Sequence, residues 1–285
     1  MHPVKLFFVD QKQVAQVASL QALITEHKLP MTLTSELIEG EFTKKVRQQL
    51  LENTTDISLL LDDKNKLSLL SNGLSVEPAW DKLQRRIVSA GRKSELILQA
   101  AKITAESKVL DATAGFGHDS LILASTGAQV TMLEQHPVMA LLLFAEQQRM
   151  STLPNWQKLM ARLTIKNADA LSHFTNLSHR ATETIIDVIY LDPMFPSDSY
   201  QDNKTGKGAK VGKQMQALHH VAHPPTLAQE IALLKSAREV VANNKQNHGR
   251  VIVKRPQQAP FLANEKPNES WQNSAVRFDG YFNSR

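Results

Sequence analysis

Hydrophobic residues follow two different patterns in this chain, and the change falls near residue 80. After it, apolar runs of strand length alternate with stretches in which apolar residues recur every three or four positions, the period of a helix. This alternation predicts a helix ending near 103, strands at 108–113, 128–134, 162–167, 184–192 and 250–256, and helices at 119–126, 137–150 and 226–244. The stretch between 167 and 184 is interpreted as irregular.

The predicted strands of this second part are nearly continuous runs of Val, Ile and Leu. Such runs are typical of a parallel sheet whose two faces are both covered by helices. Right-handed crossovers then give an α/β fold with a doubly wound, Rossmann-like sheet, in which ligands bind at the carboxyl ends of the strands. The tail 274–285 predicts an antiparallel hairpin at one sheet edge.

The first 76 residues predict a small α+β unit without recognisable chemistry. Its pattern indicates a strand, a helix, a partly helical stretch and a hairpin, at 4–9, 14–27, 35–53 and 57–71. Because 72–80 contains Gly and Pro, it is interpreted as a joint. We therefore divide the chain into an accessory unit, 1–76, and a larger domain, 77–285.

Composition narrows the classes of function. The 285 residues include no Cys, which excludes disulfides, Cys-ligated zinc, iron–sulfur clusters and thiol nucleophiles. The first residues do not resemble a signal peptide, and no stretch approaches the ~18 apolar residues of a membrane span. These features predict a cytosolic protein without a membrane partner.

Positive charge is concentrated in the larger domain. The net charge is +5, made up of −1 in residues 1–76 and +6 in 77–285. Three windows without acidic residues, 82–93, 203–213 and 245–255, carry the excess. Each alone could be a solvated face, but together they indicate a polyanionic partner such as RNA. The candidate phosphate-binding residues are Arg85, Arg86, Arg92, Lys93, Lys204, Lys207, Lys210, Lys213, Lys254 and Arg255.

The first strand of the larger domain leads into a glycine loop. Asp111 precedes Gly115 and Gly117, which permit a tight turn and close approach of a ligand to the backbone. In a dinucleotide-binding loop a third Gly would stand where Ser120 is, and Asp111 would repel a pyrophosphate. A carboxylate there suits an ammonium or sulfonium group, which favours S-adenosylmethionine over NAD.

Two further carboxylates stand at the ends of the next two strands: Glu134 ends the second, and Asp169 comes shortly after the third. Glu134 is placed to accept both ribose hydroxyls of an adenosine, and Asp169 could accept the adenine amino group. With Asp111 and the glycine loop, they predict a nucleoside pocket at three successive strand ends.

The fourth strand ends abruptly in Asp192-Pro193-Met194-Phe195. Proline ends strand pairing and presents Asp192 at the sheet edge. The string resembles the D-P-P-[YF] motif of amino-methyltransferases. There, a carboxylate and a backbone carbonyl orient an exocyclic amine whose lone pair is otherwise delocalised, while Phe195 could stack on an extruded base. These four residues are the candidate catalytic residues.

A metal site is the weaker interpretation of His219, His220 and His223. The stretch runs into Pro224-Pro225 and no carboxylate partner is evident, so no metal is expected.

From about residue 85 to 256 the chain resembles the RsmJ-type family of 16S ribosomal RNA methyltransferases. The resemblance is carried by DATAGFGHD (111–119), MLEQHP (132–137), VIYLDPMFP (188–196) and VIVKRP (251–256). It implies a class I methyltransferase fold that transfers a methyl group from S-adenosylmethionine to the N2 amine of a guanosine in the small ribosomal subunit (guanosine 1516 in standard 16S numbering). It also implies cofactor contacts at His118, Asp119, Glu134, Gln135, Asp169, Ala170 and Asp192.

Three alternatives stay open on the sequence alone. The first is an amino-methyltransferase acting on DNA adenine or a small molecule through the same motif. The second is a NAD(P)-dependent oxidoreductase. The third is a non-catalytic RNA-binding assembly factor.

Overall fold

A computed structural model describes the chain over residues 2–54, 56–179, 185–195, 222–242 and 249–282. The N-terminal part of this chain builds a sheet of five strands with two helices. Its elements are β1 (His2–Phe8), α1 (Val14–Glu26), β2 (Met31–Leu37), α2 (Lys44–Asn53), β3 (Ser58–Leu61), β4 (Leu67–Ser71) and β5 (Leu74–Val76). Their order in the sheet is β2-β1-β3-β4-β5.

The predicted strand, helix and hairpin of the N-terminal part are found as β1, α1 and the antiparallel pair β3–β4. The sequence pattern missed β2 and β5. β2 pairs in parallel with β1 as an edge strand and is mostly exposed, so it lacks an apolar run. β5 is three residues long and lies within the predicted joint.

The second sheet contains seven strands in the described part of the chain, with helices on both faces. A short 3₁₀ helix at Trp80–Leu83 precedes it. Its elements are α3 (Gln84–Ser89), α4 (Leu96–Ala101), β6 (Lys108–Asp111), α5 (His118–Ser125), β7 (Gln129–Glu134), α6 (Pro137–Ser151), α7 (Gln157–Met160), β8 (Leu163–Asn167), α8 (Ala170–His179), β9 (Val188–Leu191), α9 (Leu227–Ala242), β10 (Arg250–Pro256), β11 (Glu269–Gln272) and β12 (Val276–Phe282).

The order of this sheet is β11-β12-β10-β9-β6-β7-β8. Strands β10, β9, β6, β7 and β8 run parallel, and β12 and β11 add an antiparallel edge. The predicted doubly wound α/β fold is confirmed. The chain builds the sheet outward in one direction from β6 through β7 to β8, and in the other direction from β9 to β10. This reversal between β6 and β9 opens a crevice at their carboxyl ends.

Helix α8 corrects the prediction of an irregular stretch after β8. Asp169 accepts hydrogen bonds from the amide and hydroxyl of Ser172 (2.8 and 2.9 Å) and so caps the helix start. Phe174, in the middle of the helix, is fully buried. Leu171, Phe174 and Leu177 have a helical spacing, and all three pack in the hydrophobic cluster that contains β9 and α9.

One hydrophobic core joins the two sheets. It includes Leu6 and Leu69 of the first sheet, Val130 of the second, and Leu142 of α6. Helix α6 packs against both α1 and β4, and the fully buried Trp80 lies within the same cluster. The division into units at 76 and 77 therefore stays a prediction, since apolar packing continues across it.

Candidate cofactor and substrate site

A cavity of about 500 Å³ opens at the carboxyl ends of the parallel strands. Nearly all of the predicted cofactor-binding residues line it; Gly117 does not. The lining includes Asp111, Gly115, His118, Asp119, Glu134, Gln135, Asp169, Ala170 and Asp192, together with Pro193, Met194 and Phe195. Strand ends that are far apart in sequence meet here because parallel strands share one edge of the sheet.

The two glycines of the loop after β6 have different tasks. Gly115 has a φ of +54°, and a Cβ built on it would meet no atom within 4 Å, so its backbone is open to the cavity. Gly117 has a φ of +74°, and its Cβ would lie 3.0 Å from Cζ2 of Trp80. Gly115 therefore leaves room for a ligand, whereas Gly117 allows the loop to pack on Trp80.

Asp111 lies under this loop with its side chain buried. Its carboxylate accepts hydrogen bonds from the Ser120 hydroxyl (2.5 Å) and the Thr113 amide (3.2 Å). Burial raises the pKa of Asp111 to about 7, although these hydrogen bonds pull it down. A cationic ligand beside it would favour the ionised form.

Glu134, at the end of β7, is held by the backbone of two loops. Its Oε2 accepts a hydrogen bond from the Gly115 amide (3.1 Å), and its Oε1 accepts one from the His136 amide (2.8 Å). Burial raises the pKa of Glu134 to about 7, against the effect of these amides. Each carboxylate oxygen keeps a second lone pair, so Glu134 can still accept ribose hydroxyls.

Two acidic residues that line the cavity, Asp119 and Asp192, share one lysine. The Lys254 ammonium lies 2.8 Å from Oδ2 of Asp119 and 2.8 Å from Oδ2 of Asp192. Asp119 also accepts a hydrogen bond from the Tyr190 hydroxyl (2.7 Å). The Asp192 amide donates to the Thr113 hydroxyl (2.6 Å), which fixes the strand end.

These contacts give the two carboxyl groups different proton affinities. Burial raises the pKa of Asp119, but Lys254 and Tyr190 outweigh burial and leave that pKa below its usual value. Burial keeps the pKa of Asp192 above its usual value, although Lys254 lowers it. Burial disfavours the Lys254 ammonium, but the two carboxylates raise its pKa further than burial lowers it. Lys254 is therefore a permanent cation at neutral pH.

Pro193 and Phe195 are buried and Met194 is half-buried, all beside Asp192. The guanidinium carbon of Arg255 lies 4.2 Å from the centre of the Phe195 ring, so a base could stack only on the opposite face. The base-stacking role of Phe195 stays a prediction.

The predicted phosphate-binding residues fall into three groups. Arg85, Arg92 and Lys93 are exposed on α3 and the turn after it. Arg86, also on α3, forms a two-pronged ion pair with Glu95 (2.8 Å). Lys204, Lys207, Lys210 and Lys213 lie outside the described residues, as do His219 and His220.

Lys254 and Arg255 are engaged inside the protein. Arg255 is buried, and it donates to a Glu230 carboxylate oxygen (2.9 Å) and to the Pro260 carbonyl (3.1 Å). Neither side chain presents a free surface cation, so these two placements do not support a role in holding phosphate.

Sequence reasoning missed three residues that shape the site. Tyr190 is the one polar side chain within β9, which is a usable signal in a buried apolar strand. Thr113 lies within the glycine loop. Trp80 donates its indole N–H to the Phe116 carbonyl (2.7 Å), and its amide donates to Glu146 on α6 (3.0 Å). The sequence did not indicate the Trp80 contacts, because a single Trp in a predicted joint has no pattern that points to a partner.

His118 connects the same joint to the cavity. Its Nε2 donates to the Pro78 carbonyl (2.6 Å), and burial lowers the pKa of the ring, which is therefore neutral at pH 7. Among the described residues, no cluster of His, Asp and Glu side chains could hold a metal ion, and no helix is long and apolar enough to span a membrane.

The site fits S-adenosylmethionine on its own geometry. The cavity is large enough for a nucleoside, Gly115 leaves backbone space open, and the lining carboxylates can accept hydrogen bonds from an ammonium and from ribose hydroxyls and offset the charge of a sulfonium. Fold and site together define a class I methyltransferase. In agreement, the family model SAM_MT, which describes SAM-dependent methyltransferases, matches residues 34–283.

Relatives specify the family further. A protein of Psychrobacter cryohalolentis named ribosomal RNA small subunit methyltransferase J is 68% identical over 98% of this chain and 95% of its own length. One of the same name from Acinetobacter baumannii is 36% identical over 97% and 92%. A crystal structure of a SAM-dependent methyltransferase from Neisseria gonorrhoeae superposes with a TM-score of 0.68 at 27% identity, covering 97% of this chain and 95% of that one. The chain belongs to the RsmJ-type methyltransferase family.

Proposed function

We propose that this protein transfers a methyl group from S-adenosylmethionine to the exocyclic N2 amine of a guanosine in 16S ribosomal RNA, in the cytoplasm. One observation carries the proposal: Asp192 and Pro193 stand at the edge of the nucleoside cavity, where a target amine can meet a bound cofactor. The names of the relatives support ribosomal RNA of the small subunit as the substrate. The choice of N2 and of one guanosine rests on the family resemblance.

Four groups of this chain would hold the cofactor. Glu134 would accept the ribose hydroxyls, Asp169 would face the adenine, and Asp111 with the Gly115 backbone would face the methionine end. When bound, S-adenosylmethionine supplies an electrophilic methyl group.

The chain's own residues prepare the amine. The Asp192 carboxylate and the Pro193 carbonyl accept its two N–H bonds, which directs the nitrogen lone pair away from the ring plane. Orientation of this kind supplies a large part of the rate when the reacting atoms are held ~3 Å apart. The nitrogen loses its proton late, and Asp192, whose pKa is raised by burial, is placed to receive it.

The exposed basic residues on and after α3 support an RNA substrate. Helix α3 packs against α5, and Arg86 on α3 is close enough to Asp119, a cavity residue on α5, for their charges to interact. Phosphates held there would bring a nucleotide to the opening.

A tritium-transfer assay tests the proposal. Purified 30S subunits, naked 16S rRNA and duplex DNA are each incubated with methyl-labelled cofactor and either wild type or Asp192→Asn. We expect label in ribosomal RNA only, and a loss of about 100-fold or more in Asp192→Asn. Asp63→Asn, an exposed change in the N-terminal sheet, serves as the matched control and should retain full activity.

Each alternative predicts a different result. Label in DNA would favour the adenine methyltransferase, and calorimetric binding of NAD in place of S-adenosylmethionine would favour the oxidoreductase. Full restoration of the rRNA modification by Asp192→Asn in a deletion strain, mapped by mass spectrometry, would favour the non-catalytic factor.

A further inference from the structure

Lys254 occupies an unusual position for a residue of a basic cluster. It projects from β10, the neighbour of β9 in the sheet, so that its ammonium lies between Asp119 on α5 and Asp192 at the end of β9. Both N–O distances are 2.8 Å, and 27% of the lysine side chain is exposed. A single cation thus bridges a predicted cofactor contact and the predicted catalytic carboxylate.

No second lysine or arginine makes a hydrogen bond to either carboxylate within the described residues. Arg86 lowers the pKa of Asp119 and Arg255 lowers the pKa of Asp192, both by charge alone. Arg86 pairs with Glu95 and Arg255 pairs with Glu230. The alignment of Asp119 with Asp192 therefore depends on Lys254.

We propose that Lys254 is a positioning residue of the methyl transfer, which holds Asp192 ionised and correctly oriented, and does not bind RNA phosphate. The proposal rests on the proposed function of Asp192. It assigns to the lysine of the VKRP string a task inside the active site.

Electrostatics gives the reason. Asp119 and Asp192 lie on either side of the Lys254 ammonium, and the negative charge of Asp119 raises the proton affinity of Asp192. The charged and titratable groups around Asp192 are Asp119 on α5, Asp111 on β6, Tyr190 on β9, and Lys254 and Arg255 on β10. Removal of Lys254 leaves Asp192 facing the Asp119 carboxylate without its hydrogen-bonded cation. Its pKa then rises, and a protonated Asp192 has lost an acceptor for the target amine.

Lys254→Met and Lys254→Arg test this directly. At saturating cofactor and pH 7, Lys254→Met should lower kcat by about 10- to 100-fold and leave KM for 30S subunits within about twofold. The loss should shrink as the pH rises towards 9, because Asp192 ionises again. Lys254→Arg, which keeps the charge, should recover part of kcat at pH 7.

A readout independent of activity accompanies the kinetics. Carboxyl ¹³C NMR of the protein without RNA, with the Asp192 signal assigned from the Asp192→Asn spectrum, should show a higher Asp192 pKa in Lys254→Met than in wild type. Lys254→Gln serves as a second neutral variant if Lys254→Met fails to fold. This measurement holds even if the proposed substrate is wrong, so the two failures are distinguishable.

Salt dependence separates the proposal from a phosphate contact. When the logarithm of RNA affinity is plotted against the logarithm of salt concentration, the slope becomes shallower by about 0.7–0.9 for each phosphate contact removed. We expect no change in slope for Lys254→Met, whereas Lys93→Gln, on the exposed basic turn, should reduce it. A reduced slope and a raised KM for Lys254→Met, with an unchanged Asp192 pKa, would overturn the proposal.

Discussion

At the scale of single residues, the cavity is lined by acidic side chains that are shielded from water. Asp111 is 1% exposed and has no cationic partner among its described hydrogen bonds, which come from Ser120 and Thr113. Its pKa of about 7 means that the apoprotein meets a desolvation cost whenever Asp111 ionises. Binding of a positively charged cofactor would offset that cost, which couples cofactor affinity to stability.

This cost predicts how apoprotein stability changes with pH. Since the folded-state pKa of Asp111 lies above its usual 3.8, the native state holds an extra proton between pH 4 and 7. The free energy of unfolding therefore falls through that window and levels off above it. The loss is on the order of 2–4 kcal/mol.

Asp111→Asn tests this prediction because asparagine removes the charge, keeps an oxygen to accept from the Thr113 amide and offers an N–H to the Ser120 hydroxyl oxygen. Urea denaturation from pH 5 to 8 should show a smaller decline in stability for Asp111→Asn than for wild type. Parallel declines in the two proteins would mean that Asp111 is not the group responsible.

At the scale of elements, α3 and the turn after it form an exposed basic edge beside the cavity. Arg85 and Lys93 are exposed and belong to the most basic window of the chain. Cations at such an edge position RNA through its phosphates without reading the base.

The double substitution Arg85→Gln with Lys93→Gln should weaken 16S rRNA binding and reduce its salt slope by about 1.4–1.8. Filter binding between 50 and 200 mM salt measures it. The matched control, Lys44→Gln with Lys45→Gln, removes the same charge from exposed positions of α2. Equal effects from the two pairs would show that only net charge matters.

Most strands and helices could be predicted from the sequence, but the two strands β2 and β5 could not. Strands β9 and β10 could be predicted because a parallel strand that is buried on both faces is recognisable from its continuous run of apolar residues. β5 is too short for a pattern, and β2 is an exposed edge whose pairing with β1 is a tertiary fact.

The candidate site shows the same limit. Asp111, Glu134 and Asp192 could be placed together because each lies at or near the carboxyl end of a predicted strand. The pairing of Lys254 with Asp119 joins residues 135 positions apart, and it depends on which strands are neighbours in the sheet. Charge counting therefore assigned Lys254 to the RNA surface, while strand order places it between two carboxylates.

At the scale of the whole molecule, Trp80 links the N-terminal sheet to the glycine loop. Its indole N–H binds the Phe116 carbonyl and its ring packs on Gly117. Trp80→Phe keeps most of the volume and loses the hydrogen bond, so it should lower stability by about 1–2 kcal/mol. It should also weaken cofactor binding several-fold.

Calorimetry with S-adenosylmethionine and denaturation curves measure both effects. Val88→Ala, a change at a residue that is 82% exposed, is the control and should match wild type in both measurements. If Trp80→Phe alters stability while cofactor affinity stays at the wild-type value, the loop is held by other contacts.

The shared core has a consequence for how the chain is made. The N-terminal sheet leaves the ribosome first, but α6, which covers α1 and β4, ends only at Ser151. Until then, the apolar side chains that α6 covers lack that partner and are open to chaperones or to other nascent chains. Synthesis therefore includes an interval of about 75 residues in which the first sheet is complete but lacks the cover of α6. The speed of translation across that interval would influence how much of the protein reaches its native state.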